Sequence, residues 1–350
     1  MKVKALLKKS EESPFVISEI ERKDPLESEI LIKILYCGIC HSDLHVAKNE
    51  WKSTIYPLVP GHEILGVIDK VGSNVKKHKV GDFVGVGCII GSCGACSCCQ
   101  ENQEQYCQKG FTLVFNSLDP LSGEKNFGGF SSHIVTKEDY AVAIPKEFKK
   151  EDLPRVAPLL CAGITTFSPL TNWNIEKGKK VGIVGVGGLG HLAIKIAKGL
   201  GADVVAITRS SQKTQQALRY GADEILDLSN ITNIAKLSSS LDFILSTASS
   251  NQDLDLLLNL LKKDGTLCLV GLPEKPYSKL EARSLINQRR SLAGSLIGSI
   301  EETQKMLNFC CQHSILADIE LIDPKDVNEA LSRLEKGLMS KRFVIDMSKL

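Results

Sequence analysis

The sequence predicts an α/β protein that combines a β-rich domain with a domain built on a doubly wound parallel sheet. Its 350 residues exceed the ~100–200 residues usual for one domain, so two domains are expected. The first part of the chain has the pattern of short strands, and the part after about Lys180 alternates strands with helices. Hydrophobic residues make up 43% and charged residues 24% of the chain, which favours a globular protein with a sizeable core.

The β-rich part runs from Met1 to about Ile144. It contains short, β-branched runs such as ILIKILYCG, GVIDKVG and DFVGVGCII, separated by Gly, Pro and Asn. Runs of this length bounded by turn residues are typical of β-strands.

From about Lys180 the chain repeats an apolar strand, a turn and an apolar helix, in KKVGIVGVGGLGHLAIKIAKGLG, ADVVAITRSS and LDFILSTA. This alternation predicts a parallel sheet covered by helices. Leu192, Ile196 and Leu200 stand four apart on one helix face, which predicts packing on the sheet.

The last stretch, from about Ser299, carries a helical run, EETQKMLNFCCQH, and ends in RFVIDMS, which predicts a strand that returns to the first domain.

Charge and cysteine content narrow the possible partners. The formal net charge is +2, and Lys and Arg form no block, so neither a nucleic acid nor an anionic membrane is expected as a partner. Charges interrupt every apolar run near Met1, so we expect no signal peptide, no membrane span and a cytoplasmic location. In that reducing compartment, twelve cysteines are more readily metal ligands or free thiols than disulfides.

Four cysteines have the spacing C-x2-C-x2-C-x7-C in a Gly- and Ser-rich loop: Cys93, Cys96, Cys99 and Cys107. Four thiolates can converge on one tetrahedral zinc ion and leave no open position, which indicates a structural site. Cys98 lies between two of these ligands and could replace Cys99. The alternative interpretation is a set of free or redox-active thiols.

A second group is dispersed along the chain: Cys40 in GICHSDLH, His62 and Glu63 in PGHE, and Cys161 in LLCAGIT. Each residue alone is a weak signal, because single Cys and His residues are often structural. Together they offer two cysteines and a histidine with an open fourth position, which is the ligand set of the catalytic zinc in alcohol dehydrogenases.

A glycine-rich segment follows the apolar run VGIV and opens a predicted helix: Gly185, Val186, Gly187, Gly188, Leu189 and Gly190. In this context, backbone N–H groups and the positive helix end can bind a pyrophosphate. We therefore predict a dinucleotide site here, although glycines also serve ordinary tight turns.

The next strand determines which dinucleotide is expected. It ends in VVAIT and continues, without a carboxylate, through Thr208, Arg209, Ser210, Ser211, Gln212 and Lys213. An acid at this place would bind the ribose of NAD, whereas a guanidinium, an ammonium and hydroxyls favour a 2′-phosphate. The prediction is NADP(H), and the alternative is that Arg209 and Lys213 are solvated loop charges.

These motifs follow one another in the order found in one family. The motifs are GICHSDLH, PGHEILGVIDKVG, the cysteine loop, CAGITTFSPL and VGVGGLGHLAIKIAK. With this set of motifs, the chain resembles zinc-containing medium-chain alcohol dehydrogenases, especially the cinnamyl alcohol dehydrogenase-type branch. The resemblance implies a GroES-like catalytic domain over 1–159 and 298–350 and a Rossmann domain over 160–297. It also implies a homodimer, with the active site in the cleft between the domains.

The resemblance further implies roles for individual residues. Two Zn²⁺ ions per chain are expected: a catalytic ion held by Cys40, His62 and Cys161 with Glu63 behind it, and a structural ion in the cysteine loop. A proton relay would run from Ser42, which contacts the substrate oxygen, through the nucleotide ribose to His45, with Glu50 a further member. The nicotinamide half would be lined by Thr165, Thr247, Gly271, Ser295, Leu296 and Ile297.

The expected reaction interconverts a primary alcohol, aromatic or aliphatic, and its aldehyde. Trp51 would wall the substrate pocket, with Leu296 and Ile297 making the other side apolar, although all three could be ordinary core residues. Two alternatives are a polyol dehydrogenase and a non-catalytic, zinc-stabilised NADPH sensor. The intact cysteine loop and Cys161 disfavour the first, and the complete set of relay and ligand residues disfavours the second.

Overall fold

The computed structural model describes residues 1–119, 122–209, 211–273, 276–277, 279–338 and 341–350. They form two compact units, which are described separately. The first unit comprises Met1–Cys161, Ser299–Cys311 and Leu316–Leu350. The second comprises Ala162–Gly298 and Gln312–Ile315.

The strands in chain order are β1 (Lys2–Lys8), β2 (Phe15–Glu21), β3 (Glu29–Gly38), β4 (Ile64–Val71), β5 (Phe83–Val86), β6 (Ile89–Gly91), β7 (Thr112–Leu113), β8 (His133–Lys137), β9 (Val142–Ala143), β10 (Lys180–Val184), β11 (Asp203–Thr208), β12 (Glu224–Asp227), β13 (Leu241–Ser246), β14 (Leu261–Leu269), β15 (Ser291–Gly294), β16 (Ile319–Ile322) and β17 (Arg342–Asp346). The α-helices are α1 (His41–Ala47), α2 (Ser97–Gln100), α3 (Leu153–Val156), α4 (Ala162–Asn172), α5 (Gly190–Gly199), α6 (Ser211–Arg219), α7 (Ile231–Lys236), α8 (Leu254–Leu260), α9 (Ala282–Ile286), α10 (Ile300–Gln312) and α11 (Val327–Glu335). Short 3₁₀ segments span Glu104–Tyr106, Glu138–Tyr140, Lys150–Asp152, Ala157–Leu160, Pro324–Asp326 and Met347–Lys349.

The first unit is β-rich, as predicted. Its main sheet has the order β16-β17-β3-β4-β5-β9, with β8 also paired to β3. Two small antiparallel pairs, β1-β2 and β6-β7, complete it. Since β17 pairs with β3, the predicted C-terminal strand and its return to the first part of the chain are confirmed.

The second unit is a six-stranded parallel sheet in the order β12-β11-β10-β13-β14-β15. Counted from the first strand, this is the order 3-2-1-4-5-6 of a doubly wound nucleotide-binding sheet, so the predicted architecture is confirmed. Leu192 and Ile196 of α5 are fully buried, whereas Leu200, at the end of the helix, is half-buried.

Element ends position the candidate functional residues. In the first unit, β3 ends at Gly38, and Cys40 then caps α1. In the second unit, β10 ends where the strand order reverses between β10 and β13, and the glycine-rich segment starts there. Across the described residues, every helix is too short or too polar to span a bilayer.

Candidate metal and nucleotide sites

Four buried side chains meet in the first unit: Cys40, His62, Glu63 and Cys161. Their ligand atoms all lie within 4.8 Å of one another. Two thiols, an imidazole and a carboxylate are a suitable donor set for Zn²⁺. The four residues come from the start of α1, the approach to β4 and the chain before α4, so the fold brings together a group that is dispersed in sequence.

Asp43, on the first turn of α1, ties two of these segments together, and its side chain is fully buried. Its Oδ2 accepts from the Cys40 N–H at 2.8 Å, and its Oδ1 accepts from the Gly61 N–H at 2.9 Å. The same Oδ1 lies 3.2 Å from His62 Nδ1. A carboxylate accepts hydrogen bonds, so Nδ1 carries the proton and Nε2 keeps its lone pair for a metal.

Glu63 is held by a buried ion pair. Arg342 of β17 donates from Nη2 to Glu63 Oε1, and both side chains are almost fully excluded from solvent. Oε2 of the same carboxylate is buried without a hydrogen-bond partner in the described structure. Any side chain at Gly38 would overlap that oxygen, so the glycine makes room for it.

An orphaned carboxylate oxygen beside two thiols and an imidazole fits a metal cation that would satisfy it. Burial raises the pKa of Glu63 to about 8, against the attraction of Arg342. A hydrogen bond with the Cys161 thiol holds the pKa of Cys40 well below its usual range, helped by His62 and opposed by burial. Cys88 also hydrogen-bonds Cys161, which lowers the pKa of Cys88.

The second candidate metal group lies in the loop around α2 and consists of Cys93, Cys96, Cys99 and Cys107. Their Sγ atoms are also within 4.8 Å of one another, with 3.5 Å between Cys96 and Cys99. Backbone N–H groups of Gln108 and Cys99 lower the pKa of Cys96 to about 6, which favours the thiolate that binds metal. The group includes Cys99 and does not include Cys98, the residue before it on α2.

The predicted relay residues lie on and after α1. Ser42 Oγ is 4.0 Å from Cys40 Sγ. His45 Nδ1 contacts the Glu50 carboxylate, and Lys48 Nζ lies 3.6 Å from the same carboxylate. The His45 ring also packs on Trp51, with ring centroids 5.4 Å apart, and Trp51 is 45% exposed.

In the second unit, the glycine-rich segment forms a tight turn between β10 and α5. Gly185 adopts φ +90°, which favours glycine, and its N–H donates to the carbonyl of Ile207 at 3.0 Å. A side chain at Gly190 would overlap the Gly185 carbonyl, whereas one at Gly187 would meet nothing within 4 Å. The segment therefore combines close strand–helix packing with an open side where a phosphate can approach.

The residues predicted to contact a 2′-phosphate follow β11. Thr208 is buried, and Arg209 and Lys213 are exposed. Ser210 lies outside the described residues, and so does the side chain of Ser211. Asp227 pairs with Thr208 in the sheet, but its carboxylate accepts from the Ser229 N–H at 2.9 Å and from the Ser229 hydroxyl at 2.7 Å.

Three of the six residues predicted for the nicotinamide half lie just after the carboxyl ends of strands. Thr247 follows β13 and donates to the Val184 carbonyl at 2.8 Å. A side chain at Gly271 would overlap the Ala248 carbonyl, and the Ser295 N–H donates to the Leu269 carbonyl at 3.2 Å. The remaining three occupy different settings: Thr165 is buried on α4, Leu296 is 43% exposed, and Ile297 adopts φ +51°.

Sequence reasoning missed three residues that contact members of the first metal group: Asp43, Cys88 and Arg342. Asp43 had a detectable signal, because an acid three residues after a capping position is the spacing of a capping box. Arg342 had none, because only the pairing of β17 with β3 brings it to Glu63.

Two family descriptions match the chain. "Alcohol dehydrogenase GroES-like domain" matches residues 26–146, and "Zinc-binding dehydrogenase" matches residues 188–312. The aldehyde reductase YahK of Escherichia coli is 47% identical over 346 residues, which cover 99% of this chain and 98% of that protein.

Solved structures show the same relationship. A cinnamyl alcohol dehydrogenase of Sorghum bicolor, SbCAD4, superimposes with a TM-score of 0.95 at 39% identity, covering 99% of this chain and 98% of that chain. The CAD of Helicobacter pylori, complexed with NADP(H), gives a TM-score of 0.92 at 43% identity, covering 100% of this chain and 99% of that chain.

A parallel sheet with the strand order of nucleotide-binding sheets, a β-rich unit and two groups of side chains that could hold a metal ion are the features of a zinc-binding dehydrogenase. The chain belongs to the zinc-containing alcohol dehydrogenase family, as its sequence motifs predicted.

Proposed function

We propose that the protein is a zinc-dependent, NADP(H)-preferring alcohol dehydrogenase that interconverts primary alcohols and aldehydes, with aromatic or aliphatic substrates. The buried group of Cys40, His62, Glu63 and Cys161 is the observation that carries the proposal. It offers a metal ion two thiols, an imidazole and a carboxylate oxygen without a hydrogen-bond partner in the described structure. A metal ion that only stabilised the fold would not require this donor set. The similarity to YahK and to the NADP(H) complex of the Helicobacter pylori CAD supports the cofactor and the substrate class.

We assign a catalytic zinc to Cys40, His62 and Cys161, with Glu63 behind it, and a structural zinc to Cys93, Cys96, Cys99 and Cys107. When bound, the catalytic zinc supplies a Lewis acid for the substrate oxygen, and the nicotinamide donates or accepts the hydride. The chain's own residues supply the remaining needs of the reaction, which are orientation of the ligands and movement of one proton.

Proton movement is assigned to Ser42, His45 and Glu50. The Ser42 hydroxyl lies beside the ligand Cys40, so it is suited to exchange a proton with the substrate oxygen. Because His45 Nδ1 faces the Glu50 carboxylate, Nδ1 carries a proton and Nε2 is left to exchange protons with the relay. Glu50 therefore orients the imidazole.

Cofactor binding is assigned to the second unit. The segment from Gly185 to Gly190 would bind the pyrophosphate, and the segment from Thr208 to Lys213, including Ser210 and Ser211, would bind the 2′-phosphate of NADP(H). Thr165, Thr247, Gly271 and residues 295–297 would line the nicotinamide half. The open side of Gly187 and the exposure of Arg209 and Lys213 support these roles.

Further proposals concern the domain bounds, the substrate pocket, the oligomeric state and the cellular location. We assign residues 1–159 and 298–350 to the catalytic domain and 160–297 to the nucleotide-binding domain, and we place Trp51 at the substrate pocket. We also propose a homodimer, since β15 lies at an edge of its sheet and pairs with β14 alone among the described strands, and a cytoplasmic location, which keeps the thiol ligands reduced. Light scattering on a size-exclusion column measures the mass of the assembly directly.

The proposed function is tested by following NADPH consumption with cinnamaldehyde, benzaldehyde and a straight-chain aldehyde, with NADH as the matched control. The zinc content of the same sample is measured by inductively coupled plasma analysis. We expect NADPH-selective turnover and two zinc ions per chain. Tight NADPH binding and two zinc ions without turnover of any aldehyde would instead support a non-catalytic sensor.

A further inference from the structure

His191, the second residue of α5, makes two hydrogen bonds to the glycine-rich segment at the start of that helix. It is only 4% exposed. Its backbone N–H donates to the Gly187 carbonyl at 3.1 Å, and its ring Nδ1 lies 3.2 Å from the same oxygen. A carbonyl oxygen only accepts, so Nδ1 must carry the proton. The Gly187 carbonyl therefore accepts two hydrogen bonds from one residue.

These two bonds fix the orientation of one peptide group. The peptide between Gly187 and Gly188 is planar and trans, so the Gly188 N–H points opposite to the Gly187 carbonyl. With that carbonyl bonded into α5, the Gly188 N–H is directed away from the helix. Space is available beside this peptide, because a side chain at Gly187 would meet nothing within 4 Å.

A peptide flanked by two glycines needs such a restraint. Glycine reaches both signs of φ at little steric cost, so the peptide between Gly187 and Gly188 could turn over with little resistance. After such a turn, a carbonyl oxygen would point outwards in place of the N–H and would repel a phosphate. A side-chain bond to the Gly187 carbonyl opposes this motion.

The imidazole is itself held by packing. Its ring contacts that of Tyr220, with centroids 5.5 Å apart, and Lys195 Nζ lies 5.1 Å from the centroid of the same tyrosine. Tyr220 directly follows α6. The histidine ring is thus packed against Tyr220 in addition to its bond to Gly187.

We propose that His191 is a positioning residue for the dinucleotide: its Nδ1–H holds the Gly187–Gly188 peptide so that the Gly188 N–H can donate to the pyrophosphate. The inference rests on the proposed NADP(H) site and adds to it a residue outside the glycine motif. Since the pyrophosphate is common to both nicotinamide cofactors, His191 should affect NADPH and NADH alike. Arg209 should affect NADPH alone.

The test compares three variants with different nitrogen positions. The side-chain nitrogen of His191→Asn can occupy the place of Nδ1, that of His191→Gln reaches the place of Nε2, and His191→Leu has none. Dissociation constants for NADPH and NADH are measured by isothermal titration calorimetry without substrate, and thermal unfolding is recorded for each variant. We expect His191→Leu and His191→Gln to weaken both cofactors by about fivefold, the effect of one hydrogen bond, and His191→Asn to bind within about twofold of the unmodified protein.

The outcomes separate the possible failures. Unchanged affinity in His191→Leu, or equal losses in the Asn and Gln variants, overturns the positioning role. A loss confined to NADPH also overturns it, because it would move the effect from the pyrophosphate to the 2′-phosphate. If the unmodified protein binds neither dinucleotide, the proposed function fails and the role of His191 fails with it. If the Leu variant does not fold, the contrast between Asn and Gln still decides.

Discussion

Asp43 Oδ1 lies 3.2 Å from His62 Nδ1, and through this contact a residue that is not a candidate ligand orients one that is. The same carboxylate fixes the backbone of Cys40, so it organises two ligand segments at once. A carboxylate behind a ligating imidazole fixes the tautomer and raises the basicity of the nitrogen that binds metal.

Asp43→Asn should therefore weaken one zinc site. An amide nitrogen would replace one carboxylate oxygen, so the bonds to His62 and Cys40 cannot both be kept. We expect the affinity of one of the two ions to fall by about 10–100-fold, measured by competition with a chromogenic chelator. Asp82→Asn is the control, since the Asp82 carboxylate accepts from the Lys79 N–H at 3.0 Å and belongs to neither candidate metal group. Equal chelator curves for the two variants would show that Asp43 does not support a metal ligand.

The adjacent pair Cys98 and Cys99 gives a second prediction. Cys99 belongs to the four-thiol group, whereas Cys98 does not, although the two residues are consecutive in the chain. Cys99→Ser should reduce the zinc content from two ions to one and lower the unfolding temperature, because a structural zinc contributes directly to folding. Cys98→Ser should keep both ions. Metal analysis of the purified variants is the measurement, and the reverse result would assign the ligand to Cys98.

Arg209→Ala tests the cofactor preference. Removing a guanidinium that pairs with a phosphate costs a charged hydrogen bond, so we expect KM for NADPH to rise by about 10–100-fold. KM for NADH should change little, because NADH has no 2′-phosphate. Arg219→Ala, at the other end of α6, is the matched control. If both cofactors lose affinity equally, Arg209 does not read the 2′-phosphate.

His45→Ala tests the proton relay. Loss of the imidazole removes the group that would pass the proton onwards, so turnover should fall by about 100-fold, with a changed pH profile. Initial rates between pH 6 and pH 10 with saturating cofactor provide the measurement. Glu50→Gln should have a smaller effect, because it removes the partner of the imidazole and leaves the imidazole in place. Unchanged rates and an unchanged pH profile in His45→Ala would remove this residue from the mechanism.

Much of the fold could be predicted from local patterns. The β-branched runs became β3, β4 and β5, and the helix after the glycine-rich segment became α5. Strand order was accessible only where a motif carries it, as in the parallel sheet that follows Lys180. The pairing of β17 with β3 joins opposite ends of the chain. The sequence pattern near the C-terminus predicted that β17 is a strand, but it did not predict which residues of β3 pair with it.

The sequence predicted the metal ligands and the phosphate-binding glycines, but it did not predict the residues that orient them, and the difference has a physical reason. Metal ligands and phosphate-binding glycines have a spacing or a chemistry that one short segment displays, as with Cys93, Cys96 and Gly185. The groups that orient them depend on packing. Arg342 lies in an ordinary strand sequence, and His191 resembles any polar residue at a helix start until its bond to Gly187 is seen.

The distance along the chain between Glu63 and Arg342 has a consequence for biosynthesis. These two residues are 279 positions apart, so at about 5–20 residues per second the ribosome delivers the arginine roughly tens of seconds after the glutamate. The cysteines from Cys93 to Cys107, by contrast, emerge almost together and can take up their ion while most of the chain is still unmade. The loop site can therefore mature during translation, whereas the site around Glu63 is completed only when β17, made long after Glu63, pairs with β3.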